Sequence, residues 1–247
     1  VKSFGYDAQS NTFRIARHQV GDFGLHLSLI RSFSWGDNFP PQSPFFSGTK
    51  LVYHYAFDLA VGLLEKIGIP IDLAMNGLSA LFFTALLYLI YKLPQVILGK
   101  SKALGILSVL LFIFHSSFSF FEFLQRQGIS TALLKNWWYI PDYVRLSYFS
   151  LNPFLNQRHL IAGLTISLLL ILLLLKKTRP YVAMGILLGL LSWIHTLIFF
   201  STVVVMALLA IFLKHLQIFR LIFIGLVVAS PRLFAVLDQV REAPKHS

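Results

Sequence analysis

Cysteine is absent from the 247 residues, which excludes a disulfide framework, a thiol nucleophile and any thiolate metal site. Acidic side chains are scarce too, 10 against 21 Lys and Arg, and charged residues of both signs make up only 13% of the chain. Hydrophobic residues reach 56% and the mean hydropathy is +0.72, so too little charge remains to cover a water-soluble domain. No Gly-rich lysine loop, no HExxH, no GxSxG and no apolar stretch with regularly spaced arginines occurs. P-loop ATPases, zincins, serine hydrolases and voltage sensors are thereby set aside.

What is present are long apolar runs. Residues 161–175 and 181–213 approach or exceed the roughly 20 residues that cross a ~30 Å hydrocarbon core at ~1.5 Å per residue. The formal charge of +11 could point to nucleic acid. However, the cations cluster at the ends of apolar runs, as the positive-inside bias of membrane proteins demands. The sequence therefore predicts an all-α, polytopic membrane protein without a nucleic-acid partner. Val1 in place of Met, with no signal-like segment ahead of a polar start, is read as a missing natural N-terminus, so the chain is taken as a fragment.

Residues 1–70 are expected to form an outer-face loop region with two amphipathic helices. The first, over 22–33, has Phe23, Leu27 and Ile30 at helical spacing and Gly36 near its end. The second, over about 51–67, would place His54, Asp58 and Glu65 on one face and lie along the interface rather than span it. Residues 71–231 are expected to form the transmembrane bundle. A first span ends at Lys92, Lys100 and Lys102, and the run from 103 to about 121 returns to an aromatic outer loop at 122–158. A third span, 159–175, ends at Lys176 and Arg179. The block 181–213 would leave Lys214, His215 and Arg220 outside if it crossed once, so a hairpin turning near Ser192-Trp193-Ile194-His195 is favoured. The membrane pattern stops at Pro231, and 232–247 reads as a polar tail.

Among the few polar groups, Asp22 and His26 stand one helical turn apart on one face, where a carboxylate could orient or deprotonate an acceptor hydroxyl, or hold a divalent cation. An Asp in a first turn is equally a plain helix cap. His54 with Asp58 repeats the spacing, either as a site or as a satisfied polar stripe. His195 stands alone in apolar surroundings, where polar groups are costly enough to raise a functional reading. Gln157 and Arg158 lie where the chain re-enters the membrane. An arginine there suits a lipid phosphate, or serves as an interfacial anchor. His115 and Glu122 read as structural or interfacial.

The order Gly21-Asp22-Phe23-Gly24-Leu25-His26, Gly36-Asp37-Asn38-Phe39-Pro40-Pro41, Pro44-Phe45-Phe46-Ser47-Gly48 and Leu51-Val52-Tyr53-His54-Tyr55 resembles the GT-C membrane glycosyltransferases, including the mannosyltransferase and aminoarabinose-transferase branches. It looks most like a bacterial and archaeal branch of multi-pass proteins sharing the D-x-x-x-H and N-F-P-P blocks. The resemblance is specific over residues 20–92 and architectural beyond.

It implies a GT-C-like helical core at the cell membrane with long loops outside. The implied reaction is inverting transfer of a sugar from a polyprenyl-phosphate donor to a glycan, lipid or protein acceptor. Asp22 matches the catalytic acidic position, with His26 beside it, and His54, Gln157, Arg158 and His195 would bind substrate. Phe23 stands where a second acidic residue is common. That leaves Asp22, aided by His26, as the ligand for any divalent cation, or no metal at all. The fragment alone would be inactive. The alternative from another class is a transporter or lipid-flipping protein, with the broken hairpin and the polar stripe lining a pathway.

Overall fold

The computed structural model describes residues 4–15, 20–46, 48–99, 101–114, 157–176 and 179–242, with isolated positions 125, 128 and 154. His115, Glu122 and the aromatic run at 137–148 lie outside the described residues. Two units are distinguished, one of residues 1–89 with 158–247 and one of residues 90–157. The candidate site belongs to the first.

That unit begins with an element the sequence reading missed. Strands β1 (Phe4–Asp7) and β2 (Thr12–Ile15) form an antiparallel hairpin in what was expected to be loop. The Asp7 carboxylate accepts from the backbone N–H groups of Gln9 and Ser10 and so closes the turn. Phe4 is buried against Phe23 and joins a core with Ile30, Val61, Ile71 and Met75.

Helix α1 (Val20–Ser34) carries Phe23, Leu27, Ile30 and Phe33 on its buried face, at the spacing of a one-sided helix. Helix α2 (Ala56–Lys66) is shorter than the expected 51–67. It starts only after the segment 35–55 has returned along the length of α1, because the two helices pack in parallel. His26, midway along α1, meets Asp58 in the first turn of α2, and Ser34 at the end of α1 meets Glu65 near the end of α2. Gly62 allows this approach. A β-carbon there would lie 2.9 Å from Phe33 Cβ and 3.0 Å from the Ile30 carbonyl oxygen. At the far end Arg31 stacks on Trp35 at 3.7 Å and pairs with Glu65 at 3.3 Å.

Helix α3 (Ile71–Ile97) is long and apolar enough to cross a membrane, and α4 (Lys102–Phe114) is a shorter apolar helix of the second unit. In that unit Gly105 sits against Tyr91 and Gln95. A second apolar core joins α5 (Arg158–Leu174), α6 (Tyr181–Ile194), α7 (Thr196–Phe212) and α8 (Gln217–Glu242). Tyr181 at the start of α6 approaches His215 just past the end of α7, at 3.4 Å. The two helices are therefore antiparallel, and His195, extended at φ −159° and ψ 101°, is the whole turn between them. The hairpin expected from charge placement is present.

Helix α8 runs parallel to α6 through a seam of small residues. A β-carbon on Gly185 would meet Ile224, one on Gly189 would meet Val228, and one on Gly225 would meet Leu188. Such close backbone approach is how helices gain contact where no hydrophobic drive between them exists. Helix α8 does not stop at Pro231, as the sequence reading had it, but continues to Glu242. The reason is local. Proline lacks the N–H that would bond the carbonyl of Val227, and the Ser230 hydroxyl donates to that carbonyl at 2.8 Å instead. Residues 217–238 of α8 form the second stretch long and apolar enough to span.

Candidate functional site

Four histidines from four separate segments meet at one end of the α5–α8 bundle. His26 comes from α1, His54 from the segment before α2, His159 from the first turn of α5, and His195 from the α6–α7 turn. Ring centroids are 4.4 Å apart for His54 and His159, 4.9 Å for His54 and His195, 5.2 Å for His159 and His195, and 5.0 Å for His26 and His159. His26, His159 and His195 are buried. Tyr53 stacks on His54 at 4.0 Å and closes the group on one side. Gly163 leaves room for His195, since a β-carbon there would lie 3.1 Å from that of the histidine.

Two further groups hold the cluster in place. The Asp58 carboxylate, 1% exposed, accepts from His26 Nδ1 at 2.9 Å, which fixes the orientation of the ring. Arg158 donates to Asn76 Oδ1 at 2.6 Å and to Ser79 Oγ at 3.4 Å, tying the start of α5 to α3. A third, Arg232 on α8, is 3% exposed, and its Nε and Nη1 have no hydrogen-bond partner. It bears electrostatically on His54 and Tyr55. Tyr55 itself contacts Trp193, edge to face, at 5.8 Å.

The electrostatics follow from burial. Desolvation, then the neighbouring His195, Arg232 and His26, push His54 down to about 3, so it is neutral at physiological pH. Burial pushes the Asp58 carboxyl up, opposed by its hydrogen bond and charge attraction to His26. The Tyr53 phenol is raised by burial and then by the nearby Asp58 and Asp22.

Of the residues singled out from sequence, His26, His54 and His195 come together here. Asp22 is exposed in the first turn of α1, one turn before His26 and within electrostatic reach of Tyr53. Arg158 is engaged with Asn76 and Ser79, and Gln157 is exposed just before α5. The pairing of His54 with Asp58 along one helix face does not occur. His54 precedes α2, and the partner of Asp58 is His26. Asp58 was offered only as the partner of His54, and His159, Tyr53, Asn76 and Arg232 were not expected in the site. The signals were there for two of them: His159 is a second ionisable residue at the head of an apolar helix, and Arg232 follows an apolar run.

Fold and site define a helical membrane protein with a buried, histidine-rich polar cluster. The chain belongs to the family described as uncharacterized membrane protein (DUF2298), whose profile matches residues 16–150. No curated protein matches the chain, and no solved structure does. A groove of about 420 Å³ lined by Tyr6, Glu65, Ile69 and Asp72 contains none of the histidines.

Proposed function

We propose that the protein is a multi-pass glycosyltransferase of the cell membrane, with a GT-C-like core, that moves a sugar from a polyprenyl-phosphate donor to an acceptor hydroxyl on the outer face. The observation that carries this reading is where the buried polar groups gather. His159 and His195 stand at the ends of α5, α6 and α7 opposite Lys176, Arg179 and Lys214, and Arg232 lies on α8 past the level of Val228, which packs on Gly189 near that same end of α6. Basic ends face the cytoplasm under the positive-inside rule, so the cluster faces outward. A transport site would be expected near the midplane instead. Exposed Trp35, Phe39, Phe45 and Phe46 on the segment that connects α1 to α2 suit a membrane–water interface.

In the reaction, the acceptor oxygen gives up its proton as it attacks the anomeric carbon. The bond from that carbon to the donor phosphate breaks, and polyprenyl phosphate leaves with the electron pair, so the sugar inverts. Asp22, exposed at the rim, is suited to orient and deprotonate the acceptor. Arg232, buried with free donors, is suited to the charge that grows on the departing phosphate. This role moves from Arg158, whose guanidinium is already bonded to Asn76 and Ser79. His54, stacked on Tyr53 and on His195 and within electrostatic reach of Arg232, stands between Asp22 and Arg232.

The test is donor turnover by the full-length protein in membranes. Asp22→Asn should lower it by about 10²- to 10⁴-fold, the range of general-base loss. Undiminished turnover in that variant removes the mechanism.

A further inference from the structure

We propose that His54, His159 and His195 bind one transition-metal dication of the zinc class, with a fourth position left open. Each offers a ring nitrogen, and the three nitrogens lie within 4.8 Å of one another. Nitrogens bound tetrahedrally at ~2.0–2.1 Å from zinc are about 3.4 Å apart, so the rings need to close by at most about 1.4 Å. Little resists this. His54 Nε2 and His159 Nδ1 are buried with no hydrogen-bond partner, a costly condition for a polar atom that a bound cation relieves. His195 is held by a long contact, 3.4 Å from the Ile198 N–H to its Nδ1.

The donor set selects the metal. Imidazole nitrogens alone, without carboxylate or carbonyl oxygens, disfavour calcium and magnesium and suit zinc, cobalt, nickel or copper. Burial serves the same end, because a ligand must be a neutral imidazole and its surroundings must exclude competing water.

His26 stands beside the triad rather than in it. Its Nδ1 is hydrogen-bonded to the Asp58 carboxyl at 2.9 Å, and its ring lies 5.0 Å from that of His159. The inference stands without the transferase reading, since nothing in it involves a sugar donor.

The experiment is metal binding by the purified full-length protein in detergent. The protein is stripped with chelator and dialysed against Zn²⁺ or Co²⁺, and bound metal is counted. One equivalent is expected, with visible Co²⁺ absorption of four-coordinate strength. His54→Gln, on a connecting segment and so least able to harm folding, should weaken binding at least about tenfold. His215→Gln, at the opposite end of the bundle, should leave binding unchanged. Less than a tenth of an equivalent bound by folded protein overturns the site. So does equal loss in His54→Gln and His215→Gln.

Discussion

Replacing Gly189 by alanine adds one methyl group where α6 and α8 approach most closely. The new β-carbon would lie 2.4 Å from Val228 Cβ, 2.6 Å from its Cγ1 and 2.8 Å from the Gly225 carbonyl oxygen. A β-carbon and a backbone oxygen cannot swing aside as the tip of a long side chain can. The helices must therefore separate by about 1 Å to restore ordinary contact. Overpacking of this kind costs about 1–3 kcal/mol, and the upper end applies because separation also loosens the Gly185–Ile224 and Gly225–Leu188 contacts of the same seam. At roughly 2–4 °C per kcal/mol, the apparent Tm falls by about 6–12 °C. Gly77→Ala on α3 is the control. Its β-carbon would meet nothing within 4 Å, and helix propensity makes it neutral or stabilising by up to about 1 kcal/mol. Thermal unfolding of both variants in one detergent decides the matter. Equal melting of Gly189→Ala and the unaltered protein refutes the packing argument. Arg232 lies one turn beyond Val228, so turnover should fall in Gly189→Ala and not in Gly77→Ala.

Asp58→Ala leaves His26 buried without its acceptor and should cost about 1–3 kcal/mol. A double-mutant cycle with His26→Ala should show coupling of about 1 kcal/mol or more, and an additive pair would dissolve the dyad. Gly163→Ala puts a methyl 3.1 Å from His195 Cβ, a displacement of a few tenths of an ångström. It should weaken Zn²⁺ binding by several-fold while unfolding shifts by less than about 1 kcal/mol; unaltered affinity would count against His195 as a ligand. Arg232→Gln removes a buried, unpartnered cation, so the protein should become no less stable while donor turnover falls. Loss of stability without loss of turnover would reverse its assigned role. Ser230→Ala should destabilise by about 1 kcal/mol, and by much less in a Pro231→Ala background, where Val227 regains its backbone donor; equal costs would deny the Ser230 substitution for the lost bond.

Local pattern alone determined much of this protein. Apolar runs and the scarcity of charge marked a helical membrane protein, and the 3.6-residue period of Phe23, Leu27 and Ile30 marked α1. Cation placement favoured a hairpin turning near Ser192-Trp193-Ile194-His195, and the turn is at His195. These are properties of contiguous residues, set by backbone geometry and by the cost of charge in lipid. The partners of the polar groups are not such properties. Asp58 stands four residues from His54 and bonds His26 instead, because α2 packs in parallel on α1 and the chain must travel back before α2 begins. Pro231 read as the end of a span because its compensation, the Ser230 hydroxyl on the Val227 carbonyl, exists only once the helix is formed. His159 and Arg232 look like unrelated interfacial residues until α5, α6 and α8 bring their ends together. Periodicity says which face is buried, and only the packing of those faces says which histidines meet.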